Sequence, residues 1–397
     1  MYKLIACLLL IIITAGCLGN ETAIPPGEGY ENVVEANNNF AVNLYRAIGG
    51  KDNLVISPLS VFLAFSMLYE GSEGETKAEL EKVFGFPSNE KMRGDIRNLL
   101  LNLTSSKNFT LDIANAIWIR EGAKPEKEYV ETIRKYYQGE IREVDFLNDP
   151  MGAAREINSW VKEKTRGKIE KIVDRLDSDT YLIITNAIYL NATWIYPFTS
   201  TFNSTFTTFN GVVQVEMMKR MGKFNYYEDD VMQIIELPYK GNLSMIVILP
   251  KKLEDFEKVE KSIDANLLKE ILEKMKKENV MVYFPKFKMK KSYNLNDALA
   301  RLGLKSVFTE LDIPKIAPER EKEDLCIDRV LHKTFIKVYE KGTEAAAATA
   351  IIVVETAMPV EVKEFKADHP FIFFIIHKPT GAIIFMGRIA NPSEGSP

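Results

Sequence analysis

Residues 340–362 read EKGTEAAAATAIIVVETAMPVEV, and no single secondary structure suits all of them. The alanine run Ala345–Ala348 favours helix, whereas Ile351, Ile352, Val353 and Val354 are β-branched and favour strand. Glu355-Thr356-Ala357-Met358-Pro359 then closes the stretch like an exposed loop. The plain alternatives are a helix or an ordinary buried strand. The first half, however, is built of side chains small enough to join a sheet without steric conflict. A segment that can be exposed loop or inserted strand is a candidate bistable element.

The rest of the chain supplies both helices and sheet. Val34, Phe40, Ala41, Leu44 and Ile48 recur at helical spacing before Gly49-Gly50, which predicts a first helix over 31–50. Ser57-Pro58 opens a second helix through Leu59, Phe62, Leu63, Phe65 and Met67. Further helices are expected over 75–83, 90–103, 126–137, 152–165, 262–279 and 294–302. Strand signals fall at 111–119, 182–190, 280–288, 335–340, 371–376 and 383–386. A hairpin is expected from 231–237 to 243–249 around Lys240-Gly241-Asn242. With helices early, strands late and no linker after residue 31, this pattern predicts an α+β domain.

The N-terminus reads as a targeting segment. Leu4–Ala15 is an apolar run of twelve residues, shorter than the roughly 20 a membrane-spanning helix needs, and it ends in Thr14-Ala15-Gly16-Cys17. Ala-Gly-Cys resembles a prokaryotic lipobox, in which the cysteine becomes the lipidated first residue. The alternative is plain secretion with Cys17 incidental. The expected division is a signal peptide over 1–16, a Gly/Pro-rich tether over 17–30 and the folded domain over 31–397. The chain is then expected outside the cell, anchored to the outer face of the membrane through Cys17, or simply secreted. Of the three cysteines, Cys326 would remain unpaired as an apolar filler. Sequons at Asn20, Asn102, Asn108, Asn191, Asn203 and Asn242 matter only in a host that glycosylates exported proteins.

Function classes can be excluded before any is chosen. There are 51 basic and 55 acidic residues, so nucleic acid is not expected as a partner. H-E-x-x-H, C-x-x-C, G-x-S-x-G, P-loop and G-x-G-x-x-G patterns are all missing from the sequence. The three histidines, His332, His369 and His377, are widely spaced, and His332 and His369 read as hydrogen-bonded structural groups. No metal site, cofactor or enzymatic activity is expected.

Five segments in order then resemble the serpin family over roughly residues 31–393. They are Asn53-Leu54-Val55-Ile56-Ser57-Pro58-Leu59-Ser60, Thr185-Asn186-Ala187-Ile188-Tyr189-Leu190-Asn191-Ala192-Thr193-Trp194, the hinge Glu340–Ala348, Phe365–Phe371, and Phe385–Pro392. The resemblance implies a single-domain serpin fold, with helices packed around three β-sheets and an exposed reactive-centre loop. It implies a monomeric suicide inhibitor of serine proteases, with cysteine proteases as a second class. The protease would form an acyl-enzyme on the loop. The cleaved loop would then enter the main sheet as a new strand, about 15 residues at roughly 3.3 Å each, or about 50 Å.

By family position, Glu340 would pair with Lys286 at the top of the sheet. Trp194 would pack where the loop first enters, and Ser57, Ser60, Asn186 and His332 would form a polar cluster beneath the opening strands. Gly342 suits a hinge bend, and Thr343, Ala345, Ala347 and Thr349 alternate onto one small-residue face. No charge or proline stands at those four positions, where either would obstruct insertion. Family register puts the reactive bond between Thr356 and Ala357, with Glu355–Thr356 and Ala357–Met358 as neighbours. No Arg or Lys lies between Lys341 and Lys363, which disfavours a trypsin-like target. Subtilisin-, elastase- or chymotrypsin-like pockets fit better. The remaining alternatives are a non-inhibitory serpin acting as an extracellular binding protein, and a lipoprotein hydrolase or receptor on an unrelated fold.

Overall fold

A computed structural model describes residues 30–320, 325–343 and 362–394. Nine helices are described: α1 (Glu31–Ile48), α2 (Pro58–Gly71), α3 (Gly74–Phe84), α4 (Asn89–Thr104), α5 (Lys127–Thr132), α6 (Pro150–Lys164), α7 (Phe256–Ser262), α8 (Ala265–Lys274) and α9 (Asn296–Leu302). The strands are β1 (Leu54–Ile56), β2 (Phe109–Arg120), β3 (Glu140–Val144), β4 (Leu182–Thr193), β5 (Ser200–Thr208), β6 (Gly211–Glu228), β7 (Met232–Pro238) and β8 (Leu243–Pro250). They continue as β9 (Lys276–Pro285), β10 (Phe287–Asn294), β11 (Ile327–Tyr339), β12 (Gly342–Thr343), β13 (Lys363–Lys366), β14 (Phe371–His377) and β15 (Ala382–Ile389).

One sheet has six strands in the order β10-β11-β12-β4-β2-β3, with β11 and β4 also paired directly. The other runs β1-β15-β14-β8-β7-β6-β9-β13, with β5 on β6. The three sheets expected from the family become two hydrogen-bonded ones because β6 is 18 residues long and serves both halves of the second. Its body pairs with β5 and β9, and only Tyr226–Glu228 reach β7.

Helix α2 explains where the core sits. All fourteen of its residues are buried, including Glu70, which pairs with Arg93 at 2.5 Å, so the helix has no solvent face. Ser57 caps it by accepting the Ser60 N–H at 3.3 Å, and Pro58 occupies the first turn, where its missing N–H costs nothing. Helix α2 lies against one face of the six-stranded sheet, and Ser60 Oγ donates to Asn115 Oδ1 on β2 at 2.9 Å. Helix α6 covers the other face. Its Trp160 meets Trp118 of β2 edge-on at 5.4 Å, within a cluster that includes Leu331 and Phe335 of β11.

Some expectations need correction. The helix expected over 262–279 ends at Lys274, and Lys276–Asn279 belong to β9. Pairing with Lys223–Tyr226 of β6 overrides the helical preference of that charged run. The strand expected over 280–288 breaks at Lys286 and feeds two different sheets. Strands β5 and β6 were not anticipated. Cys326 is half-buried rather than fully buried, and burial, then Asp328 and Asp179, push its thiol up.

Candidate functional site at the mouth of the main sheet

The central feature is the seam between β11 and β4. From Ile327 opposite Leu182 to Phe335 opposite Tyr189 the two strands pair in parallel. Above that point they part, and the short β12 lies between them. Gly342 faces Tyr339 on one side and Thr193 on the other, and Thr343 faces Val338 and Ala192. Both neighbours run antiparallel to β12. The sheet is thus closed along its length and parted at one end, where Gly342 and Thr343 occupy the slot.

Several groups shape that mouth. A Cβ on Gly342 would lie 2.1 Å from the Ala192 carbonyl oxygen, so only glycine fits so close to β4. Thr343 is fully buried, and its Oγ1 lies 2.6 Å from the Tyr239 hydroxyl. The Tyr239 ring stacks on Trp194 at 3.9 Å. Trp194 clamps the turn before β12: its backbone N–H donates to Lys341 O at 2.9 Å and its Nε1–H to Tyr339 O at 3.0 Å. Glu340 Oε1 sits 2.6 Å from Lys286 Nζ and accepts the Thr201 hydroxyl at 2.7 Å. Lys286 also reaches Glu216 at 3.0 Å. Burial pushes the Glu340 carboxyl up, but Lys286 and Thr201 outweigh it and hold the group below its ordinary range. Burial likewise pushes the Lys286 ammonium down, and its two carboxylate partners reverse that and leave it raised.

A second cluster lies lower, where α2 begins beneath the closed part of the seam. His332 Nε2 accepts the Ser57 N–H at 3.0 Å, which puts the ring proton on Nδ1. Ser57 Oγ donates to Ile384 O at 2.8 Å, and Thr334 Oγ1 to Val55 O at 2.8 Å. His332 is fully buried, and burial drives its imidazole down to about 3. Asn186, its partner across the seam, is also fully buried, and neither end of its side-chain amide finds a hydrogen bond. An unsatisfied buried polar group costs about 1–3 kcal/mol. The closed seam therefore carries a local penalty at Asn186.

The structure brings Glu340, Lys286, Gly342, Thr343 and Trp194 together at the mouth, and Ser57, Ser60, Asn186 and His332 together below it. Ala345, Ala347, Thr349, Glu355, Thr356, Ala357, Met358 and Cys17 lie outside the described residues. Tyr239, Thr201 and Glu216 were missed by sequence reasoning, and Tyr239 reaches Thr343 across 104 positions with no local signal. His369 bonds Asp368 at 3.0 Å and Pro250 O at 2.8 Å, and His377 bonds Thr380 at 3.0 Å, far from either cluster in the chain. Among the described residues, no group of three or more His, Cys, Asp or Glu side chains could hold a metal ion.

These features define an α+β protein whose main sheet parts at one end to hold Gly342 and Thr343 between β11 and β4. The sequence profile described as Serpin (serine protease inhibitor) matches residues 35–392. An uncharacterized serpin-like protein of Thermococcus kodakarensis is 42% identical, with 98% of each chain covered. The horse leukocyte elastase inhibitor is 36% identical over 91% of this chain and all of its own. Human thyroxine-binding globulin, solved with its hormone bound, superposes with a TM-score of 0.84 at 28% identity, covering 92% of this chain and all of that one. The chain belongs to the serpin family.

Proposed function

We propose that this protein inhibits serine proteases by covalent trapping. The observation that carries the reading is the seam: Gly342 and Thr343 already pair with both β11 and β4 at its open end. In the reaction, the protease serine Oγ attacks the carbonyl carbon of Thr356. The peptide bond to Ala357 breaks, the new amine leaves with the proton, and an ester joins the two proteins. The freed loop zips into the sheet from Thr343 downward and carries the acylated protease with it. Strand addition satisfies the backbone of the inserted segment on both sides, and this drives the step.

The small and apolar residues around Thr356 suit subtilisin-, elastase- or chymotrypsin-like pockets, and the kinship to a leukocyte elastase inhibitor supports that class. Export and attachment to the outer membrane face through Cys17 complete the reading. They rest on the apolar run and the Ala-Gly-Cys ending.

The test is a gel. The protein is incubated with subtilisin, chymotrypsin, elastase and trypsin, then boiled in SDS. A band at the summed mass, less the C-terminal peptide, supports trapping, and a released peptide starting at Ala357 supports the register. Cleavage that gives no complex but a sharply more stable product keeps insertion and discards the protease class. Cleavage with neither outcome transfers the protein to the binding-protein reading, for which the likeness to thyroxine-binding globulin is the precedent.

A further inference from the structure

Both roots of the loop meet one exposed sheet face. At one root, Glu340 is held by Thr201 at the start of β5. At the other, the chain emerges through Val362 into β13. Between them, β5, β6, β9 and β13 pair side by side. Register aligns Ser200, Lys219, Tyr283 and Lys366 in one cross-strand row. The next row holds Met221, Met281 and Glu364.

Among its polar residues this face exposes three large apolar side chains. Phe202 is 42% exposed, Met221 52% and Val362 43%. Phe202 meets Tyr283 edge-on at 6.2 Å, and Lys219 Nζ lies 5.4 Å above the same tyrosine ring. Phe202, Lys219, Tyr283, Glu364 and Lys366 are among the residues that line a depression of about 560 Å³. Aromatic side chains bury large area with little rotamer entropy and methionines adapt their shape, and both suit a binding surface.

We propose that this face is a second contact surface for the target protease, engaged while the loop occupies the protease cleft. The inference rests on the inhibitory reading. Continuity carries the assignment: a protease holding residues between positions 343 and 362 is tethered at both ends to this sheet, so its rim is held beside it. The chemistry selects a rim with an apolar side chain to fill the depression beside Tyr283, flanked by a carboxylate for Lys219, since Lys366 is already paired with Asp368 at 2.9 Å. Such a contact acts on encounter and so on association rate, leaving the later race between insertion and hydrolysis unchanged.

The experiment compares the full chain with Phe202→Ser, Lys219→Glu and the double variant. Second-order rates of covalent complex formation are measured with subtilisin, chymotrypsin and elastase at low and high salt, together with stoichiometry and melting temperature. The double variant is expected to associate at least tenfold more slowly with one or more proteases, with unchanged stoichiometry. Lys219→Glu is expected to flatten or invert the salt dependence. Rates within twofold of the parent for every protease the parent traps would overturn the proposal and leave the inhibitory reading standing. A parent that traps none of the three overturns the proposal together with the protease class on which it rests. A drop in melting temperature would assign slow variants to misfolding, and Phe202→Leu, which keeps the apolar volume, then decides: it must restore the rate, or the proposal fails.

Discussion

Replacing Thr343 with arginine tests whether the slot between β11 and β4 is where insertion begins. Thr343 is fully buried, and its Oγ1 lies 2.6 Å from the Tyr239 hydroxyl. A guanidinium there would face a tyrosine hydroxyl and a stacked indole, with no carboxylate in contact. An unpaired buried charge costs several kcal/mol, and the long stem can carry the charge toward the mouth, so about 3 kcal/mol is a fair figure. At 1.36 kcal/mol per decade, insertion slows about 150-fold. Hydrolysis of the acyl-enzyme is untouched, since the loop near Thr356 is unchanged. A parent that traps ten proteases for each one released would become a variant that traps about one in fifteen. The resting fold should survive, because two residues can leave the slot without disturbing the eight pairs between β11 and β4. The assay is the titration of protease activity with parent, Thr343→Arg and Thr343→Ser, followed by SDS gels. Thr343→Ser keeps the hydroxyl and should behave as the parent does. An arginine variant with parental stoichiometry would refute the claim that this slot starts insertion.

Four further outcomes follow from the same geometry. Gly342→Ala should expel the hinge from the slot, since its Cβ would lie 2.1 Å from the Ala192 carbonyl oxygen; hydrogen exchange at the Trp194 amide, bonded to Lys341 O, should quicken while that of β4 below it does not. His332 should make stability sensitive to acid: its folded value of about 3 lies below the unfolded 6.5, so its contribution is complete above pH 6.5 and is lost as pH falls toward 3, about 2 kcal/mol of it by pH 5. Denaturant titrations of His332→Gln, which keeps an acceptor for Ser57, should be flatter than the parent between pH 7 and 5 by about that amount; equal slopes would remove His332 as the cause. Glu340→Gln should change trapping only a few-fold, because a partly exposed ion pair contributes about 1 kcal/mol or less; a hundred-fold loss would mean the pair does far more than its exposure allows. Finally, carrying the register of β12 six residues on brings position 349 opposite Asn186 and His332, so Thr349→Val should lower the stability of the cleaved form by about 1–3 kcal/mol and leave the uncleaved form unchanged, read as paired denaturation midpoints.

Much of this arrangement was legible before the fold was known, and the parts that were not share a physical reason. Helices α1 and α2 announce themselves through local signals, Gly49-Gly50 ending the first and Ser57-Pro58 placing an acceptor and a proline where the second must begin, whereas the Asp149 cap that starts α6 two residues before the expected 152 was missed. The two residues of β12 are legible for a similar reason, because Gly342 and Thr343 stand side by side and their small size needs no partner to be recognised. Strand β6 is not. Its Met217-Met218 pair and scattered lysines and glycine show no clean alternation, since it pairs with different strands along its length and turns different faces inward. Thr201, Tyr239 and Glu216 are invisible on the same grounds: each matters only through a residue more than fifty positions away. Strand β12 is therefore written locally, while the slot that holds it is assembled from β4, β6, β9 and β11 and from the turn at Tyr239. Substitutions in the slot should thus be the harder ones to anticipate from sequence. The orphaned amide of Asn186 is the clearest case, since nothing in its neighbours along the chain hints that closing the seam leaves it without a partner.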